Sequence, residues 1–133
     1  MRVYCDTCVY MDLFEDRKNG FRSFAQSALH FFALVREGEY EVVVSDWVRK
    51  EIMKLYGDAK NLDELLSTIP SYINVTIDKK DRDRAKELSE DNFDDALHVA
   101  LALKADAKII TTRNIKHFQH FSDIIDVELP EFL

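Results

Sequence analysis

The stretch from Asn92 to Phe118 leaves this chain little choice of fold. It opens with two adjacent carboxylates, Asp94 and Asp95, and runs into an almost wholly apolar helix. Phe93, Ala96, Leu97, Ala100 and Leu101 follow one helical stripe, and Val99, Ala102 and Leu103 fill the other side, so little of the helix can face water. Its alanines would let it lie close against a sheet. A short strand, Lys108 to Thr111, follows at once and ends in the polar turn Thr112-Arg113-Asn114. In a parallel sheet the helix runs against the strand, so the helix start and the strand end share the carboxyl edge. That edge is where open α/β sheets bind ligands. Asp94, Asp95 and Asn114 are therefore expected to meet there. Taken alone, two acids at a helix N-terminus suit the dipole and the unpaired amides equally well.

The remainder reads as strands and helices in alternation. Arg2 to Cys5 is a short apolar strand ending at Asp6, and Thr7 is placed to cap a brief helix reaching about Phe14. Arg17 to Gly20 is a polar break. Phe21, Phe24, Ala25, Ala28, Phe31, Phe32 and Val35 then form an amphipathic helical series ended by Gly38. Glu41 to Val44 is a second strand, and Ser45 with Asp46 starts a helix whose inward face is Val48, Ile52 and Leu55. Glu51 lies on that same face. A carboxylate on a core stripe needs a partner, either a basic side chain or a metal ion, because burying it bare is costly. Asn61 to Thr68 is a short helix stopped by Pro70, Tyr72 to Ile77 alternates like a strand, and Lys79 to Ser89 is a solvated surface helix. A last strand is expected at Ile124 to Val127. About five strands between helices imply a mostly parallel sheet covered on both faces, a three-layer α/β domain.

At 133 residues the chain is expected to be one domain, 1–133, with a real core. No apolar run approaches the ~20 residues of a membrane helix. The opening Met-Arg-Val-Tyr-Cys-Asp is a strand running into a turn and not a signal peptide, so a cytoplasmic location is expected. The net charge of −7 argues against coating nucleic acid through bulk electrostatics, although a metal site would itself concentrate acid. Basic residues gather at Arg49, Lys50 and Lys54, and again at Arg113 and Lys116. Cys5 and Cys8 form a C-x-x-C, the spacing of a thiol redox site or half a zinc site, but no paired histidines supply further ligands. Cys5 reads instead as a small buried strand residue.

Asp6, Glu51 and Asp95 thus reach one sheet edge from three separate stretches. At ~4 Å and an effective dielectric of ~20, each like pair costs on the order of 4 kcal/mol. A compensating cation is expected, and oxygen donors favour a hard ion, Mg²⁺ or Mn²⁺. Phosphodiester hydrolysis suits such a water-rich acidic site. Haloacid-dehalogenase-like phosphatases place a second Asp two positions after the first, where this chain has Cys8. Receiver domains carry their acidic pair before a lone Asp, and here the pair comes late.

Four segments carry a resemblance. Val3-Tyr-Cys-Asp6-Thr7, Val48-Arg-Lys-Glu51-Ile52, Phe93-Asp-Asp95-Ala-Leu-His-Val-Ala-Leu-Ala102 and Ile110-Thr-Thr-Arg-Asn114-Ile-Lys-His-Phe118 resemble the four motifs of PIN domains. The ending Val127-Glu-Leu-Pro-Glu-Phe132 is also similar to that family's close. The resemblance implies a Rossmann-like sheet of order 3-2-1-4-5 and a magnesium- or manganese-dependent endoribonuclease, often the VapC-like toxin of a toxin–antitoxin pair. It implies metal-binding roles for Asp6, Glu51 and Asp95, a weaker acid at Asp94, and a hydroxyl beside the fourth position at Thr112. That fourth position is Asn114 here, a neutral and weaker ligand than the usual Asp. Arg49, Lys50, Arg113 and Lys116 become candidate RNA contacts, and an antitoxin partner and a homodimer are implied. The alternative is a PIN fold kept as a catalytically weak or inactive binding or assembly module. The Phe21–Val35 helix and the Asn61–Thr68 segment are the expected partner surface.

Overall fold

The computed structural model describes residues 1–133, in which strands and helices are interspersed from end to end. In order they are β1 (Arg2–Cys5), α1 (Thr7–Phe14), β2 (Lys18–Asn19), β3 (Arg22–Ser23), α2 (Phe24–Arg36), β4 (Glu41–Ser45), α3 (Asp46–Tyr56) and α4 (Lys60–Ser67). Then come β5 (Tyr72–Val75), α5 (Lys79–Leu88), α6 (Phe93–Lys104), β6 (Ile109–Thr111), α7 (Ile115–Phe118) and β7 (Asp126–Glu128). Five strands form one sheet in the order β5-β4-β1-β6-β7, and all four pairings are parallel. Counting only these strands along the chain gives the order 3-2-1-4-5, as the family resemblance implied. The central strands are continuous apolar runs because both faces are covered: Val3, Tyr4 and Cys5 on β1 and Val42 to Val44 on β4 are wholly buried.

Local chemistry sets the helix ends. Ser45 Oγ accepts from Val48 N at 3.1 Å and starts α3, and Gly57, with φ +81°, closes it in the left-handed conformation. Asp78 and Asp81 form a reciprocal capping box on α5. Helix α6 is buried from Ala96 to Ala102 without a break, covered by α5 on its outer side. Lys104 ties the two helices together by donating to Asp81 Oδ2 at 2.8 Å.

Several boundaries differ from the sequence reading. Asp6, not Thr7, caps α1, its Oδ1 accepting from Thr7 N at 2.8 Å. Arg17 to Gly20 is no plain break, because β2 and β3 pair there as a small antiparallel hairpin. Gly20, with φ +61°, takes the first turn position, and Phe21 stands fully exposed beside it, outside α2. Strands of two residues are too short to show a period. Leu55 is exposed in the last turn of α3, leaving Val48 and Ile52 as its buried residues. The last strand starts at Asp126, because Ile125 enters the core from the preceding turn.

The loop after β6 is fastened to α1 by an ion pair. Arg113 Nε donates to Asp12 Oδ2 at 2.7 Å, and Asp12 is only 2% exposed. The guanidinium also lies 4.7 Å from the centroid of the Phe24 ring. The other oxygen, Asp12 Oδ1, has no hydrogen bond, with Arg17 Nη1 3.9 Å away. Removing Arg113 would leave a nearly uncompensated buried charge. Arg113→Met is expected to lower the unfolding free energy by roughly 3 kcal/mol, the low end for breaking a buried pair because the guanidinium is partly wet. Adding Asp12→Leu should recover most of that loss in chemical denaturation. A double variant no more stable than the single one would show that the pair is not what holds this loop.

Candidate active site

Because every strand of the sheet points the same way, β1, β4 and β6 deliver their ends to one edge. Asp6 follows β1 directly and is 7% exposed. Its Oδ1 accepts from the Thr7 amide, and its Oδ2 accepts from Thr112 Oγ1 at 2.8 Å and Cys8 Sγ at 3.2 Å. The Thr112 hydroxyl in turn accepts from Asn114 N at 3.0 Å, so the turn after β6 is anchored on Asp6. Glu51, in the second turn of α3, is half-buried. Its Oε1 accepts from Thr7 Oγ1 at 2.9 Å and from His98 Nε2 at 2.7 Å. The Thr7 hydroxyl is thus spent on Glu51 and not on a helix cap.

His98 is the residue of this edge that sequence reasoning missed. It is the one polar side chain in the buried run of α6, and its Nε2 also lies 3.6 Å from Asp6 Oδ1. Its Nδ1 is 2.7 Å from the Tyr4 hydroxyl, which is 2.6 Å from Ser45 Oγ. A buried polar chain therefore runs Ser45–Tyr4–His98–Glu51 and begins and ends on α3 or its cap. With a neutral imidazole every hydrogen has a place: Ser45 donates to Tyr4, Tyr4 to Nδ1, and Nε2–H to Glu51. The signal that would have found it is spacing, since His98 follows Asp95 by three positions on one helix side.

Burial acts to raise the Glu51 pKa, but the His98 hydrogen bond and charge, the Thr7 hydroxyl and Lys54 outweigh it and hold the carboxyl below its ordinary value. Burial also opposes a charged His98. The Glu51 hydrogen bond and the charges of Asp6, Glu51 and Asp95 nonetheless raise its pKa. Burial pushes Tyr4 well above the usual phenol value, so its proton stays on.

Asp95 is in the opposite condition. It is half-buried in the first turn of α6, with His117 Nδ1 3.6 Å from Oδ2. Burial, with the negative charge of Asp6 adding to it, raises its pKa against the pull of the Asn92 amide and of His98 and His117. Asp94 is exposed and lines a cleft beside Glu51. Asn114 is half-buried at the start of α7. Of the basic residues, Arg49 is paired with Asp63 at 3.2 Å and Arg113 with Asp12, whereas Lys50, Lys54 and Lys116 are exposed and make no ion pair. Cys5 and Cys8 are both free and buried, and burial, with neighbouring negative charge adding to it, raises both thiol pKa values. That is the opposite of what a redox thiolate requires.

No group of three His, Cys, Asp or Glu side chains is arranged to close around a metal ion. Magnesium does not demand such a cage, since it keeps several waters and takes one or two carboxylates. The oxygen donors at this edge suit a hard divalent ion held in that way.

No curated protein matches the chain. Among solved structures it is similar to VapBC2 from Rickettsia felis bound to a promoter DNA fragment, with a TM-score of 0.65 at 17% identity over 97% of this chain and 98% of that one. It is also similar to a toxin–antitoxin complex from Klebsiella pneumoniae, with a TM-score of 0.62 at 23% identity over 96% and 97%. A third is VapBC-1 from nontypeable Haemophilus influenzae, with a TM-score of 0.64 at 15% identity over 98% of both chains. At these identities the likeness speaks for the fold alone. A PIN domain family model matches residues 2–116. With that match covering most of its length, the chain belongs to the PIN domain family.

Proposed function

We propose that this chain is a metal-dependent endoribonuclease and the toxin of a toxin–antitoxin pair, with residues 1–133 acting as one nuclease domain in the cytoplasm. The observation that carries the reading is that Asp6 and Glu51 gather on His98 Nε2, 3.6 and 2.7 Å away, at the sheet edge, with the half-buried Asp95 one turn before His98 on the same helix. Asp6, Glu51 and Asp95 would hold Mg²⁺ or Mn²⁺, with Asp94 and Asn114 assisting through water. The ion would supply positive charge that acidifies water and offsets the charge on phosphoryl oxygens. The protein's part is to keep its carboxylates in place beforehand: Thr112 orients Asp6, and Thr7 and His98 orient Glu51. Lys50 and Lys116, unpaired at the surface, are the better RNA contacts, while Arg49 and Arg113 would first have to leave carboxylate partners. No helix is long and apolar enough to cross a membrane.

The partners named for the similar structures suggest an antitoxin for this chain too. Its surface supports that where Phe21 stands fully exposed at the hairpin tip and Leu29 is half-exposed on α2, whereas Phe31 and Phe32 are buried. The Asn61–Thr68 segment and a homodimer remain part of the proposal. A second reading, a PIN fold kept as a weak or inactive binding module, draws on the protein donors that already satisfy Asp6 and Glu51.

Asp95→Asn separates the two readings. Under the nuclease reading it should abolish cleavage of a mixed RNA substrate and raise the melting temperature measured in EDTA. The sign follows from linkage: an acid whose folded pKa is raised destabilises the folded state above its unfolded pKa, and that penalty fades as pH falls. The stabilisation should therefore be present at neutral pH and vanish below about pH 4, where Asp95 is protonated in both states. Lower apo stability with unchanged cleavage and metal response would make Asp95 structural and sink the nuclease reading.

His98 is a positioning residue in this scheme. His98→Leu should raise the Mn²⁺ concentration for half-maximal thermal shift by about 10- to 100-fold, the usual cost of losing an outer-shell partner. Cleavage at saturating Mn²⁺ should recover to within a few-fold. Equal loss at every metal concentration, with normal metal binding, would contradict that role.

A further inference from the structure

Ser45, Tyr4 and His98 form a polar line through the core, 0, 0 and 2% exposed. Ser45 Oγ accepts from Val48 N at 3.1 Å, and its one other partner is the Tyr4 hydroxyl at 2.6 Å. The Ser45 hydrogen must therefore go to the Tyr4 oxygen, because a buried donor left without an acceptor is costly. Tyr4 has one further partner, His98 Nδ1 at 2.7 Å, so its own hydrogen goes there. Nδ1 is then an acceptor, and the ring hydrogen sits on Nε2. The far end of the line demands the same arrangement. Nε2 lies 2.7 Å from Glu51 Oε1, where a bare nitrogen would repel the carboxylate oxygen. A ring with hydrogens on both nitrogens would leave one buried hydroxyl hydrogen without an acceptor. The rings of Tyr4, Trp47 and Phe118, 5.5, 6.4 and 6.4 Å from the imidazole, wall it in.

The direction of this line decides which carboxylate oxygen stays free. Glu51 Oε1 accepts from both His98 Nε2 and Thr7 Oγ1, and both oxygens of Asp6 accept from protein donors. Of these four oxygens Glu51 Oε2 alone has no protein donor. We propose that Tyr4 is a positioning residue for this edge: its hydroxyl locks His98 as an Nε2–H donor, and that donor turns Glu51 so that Oε2 is the oxygen offered to a divalent cation. The cation half of the assignment rests on the nuclease reading above, and the tautomer half does not. Tyr4 hydrogen-bonds to neither carboxylate and acts only through the imidazole. In Tyr4→Phe the Nδ1 acceptor is left buried and bare, and the ring is held from one end only. Glu51 then keeps its Thr7 contact but loses the fixed donor that sets its orientation.

Long-range ¹H–¹⁵N correlation of the full chain in EDTA reads the tautomer directly, and His98 is the one buried histidine of four. The wild type is expected to show a single neutral tautomer, with the hydrogen on Nε2 and Nδ1 resonating as a hydrogen-bonded acceptor. Tyr4→Phe should move the Nδ1 resonance to that of an unbonded acceptor. In thermal-shift titrations the same variant should raise the Mn²⁺ concentration for half-maximal effect about tenfold, the low end for an outer-shell partner. Ile125→Val, a core change at the opposite edge of the sheet, should lower the melting temperature and leave that concentration unchanged, which separates positioning from lost stability. A wild-type ring with its hydrogen on Nδ1, or on both nitrogens, overturns the proposal. So does a Tyr4→Phe protein whose Mn²⁺ requirement matches the wild type. A wild type that shows the Nε2 hydrogen and binds Mn²⁺, yet cleaves no RNA, overturns the nuclease reading and leaves the role of Tyr4 standing.

Discussion

Parallel strands that end at one edge force this chain to hold like charges close together. Asp6, Glu51 and Asp95 cannot be moved apart without changing which strand and helix ends meet there. Like charges that share one edge repel one another. The fold offsets part of this from within. His98 lies between Glu51 and Asp6, and Thr7, Thr112 and Cys8 each donate to one of the same two carboxylates. Hydrogen bonds to ionised groups are the stronger kind, so these donors stabilise Asp6 and Glu51 as anions.

The rest of the architecture serves to keep that edge rigid. Ser45 caps α3 and also ends the polar chain, so the helix carrying Glu51 is fixed at its first turn and again at its second. Alanines at positions 96, 100 and 102 let α6 sit within the core, which brings His98 and Asp95 up to the strand ends. The Asp12–Arg113 pair holds the turn that presents Thr112 to Asp6. Four elements far apart in sequence are therefore coupled through a handful of polar contacts, each of them buried or half-buried.

Features set by periodicity and strand order could be read from the sequence. The buried α6, the carboxyl edge shared by Asp6 and Asn114, and the singular position of Glu51 all follow from spacing and parallel topology. The sheet order came from the four-motif resemblance, not from the pattern of residues. Features that depend on one hydrogen bond could not be read. Whether Asp6 or Thr7 caps α1 turns on which side chain Glu51 has claimed, a contact across 44 positions. His98 looked apolar by location, because an imidazole within a run of alanine, leucine and valine fits the stripe. Arg113 looked like a free surface cation, because its partner Asp12 lies 101 positions away and follows no periodic signal. The β2–β3 hairpin is too short for any pattern to register.

How the charges are balanced also ranks the three acids. Glu51 is already held below its ordinary pKa by protein donors, so an added cation gains less by approaching it. Asp6 lies behind Thr112, Cys8 and the Thr7 amide, with both oxygens engaged. Asp95 has its pKa raised, chiefly by burial and further by Asp6, against the pull of the Asn92 amide, His98 and His117. Burial, more than repulsion, is therefore what sets Asp95 apart. Asn114 at the fourth position adds an oxygen donor without adding another negative charge to the edge. An edge built this way presents a half-buried carboxylate beside two pre-oriented ones, an arrangement that suits an ion kept partly hydrated better than one stripped of its water.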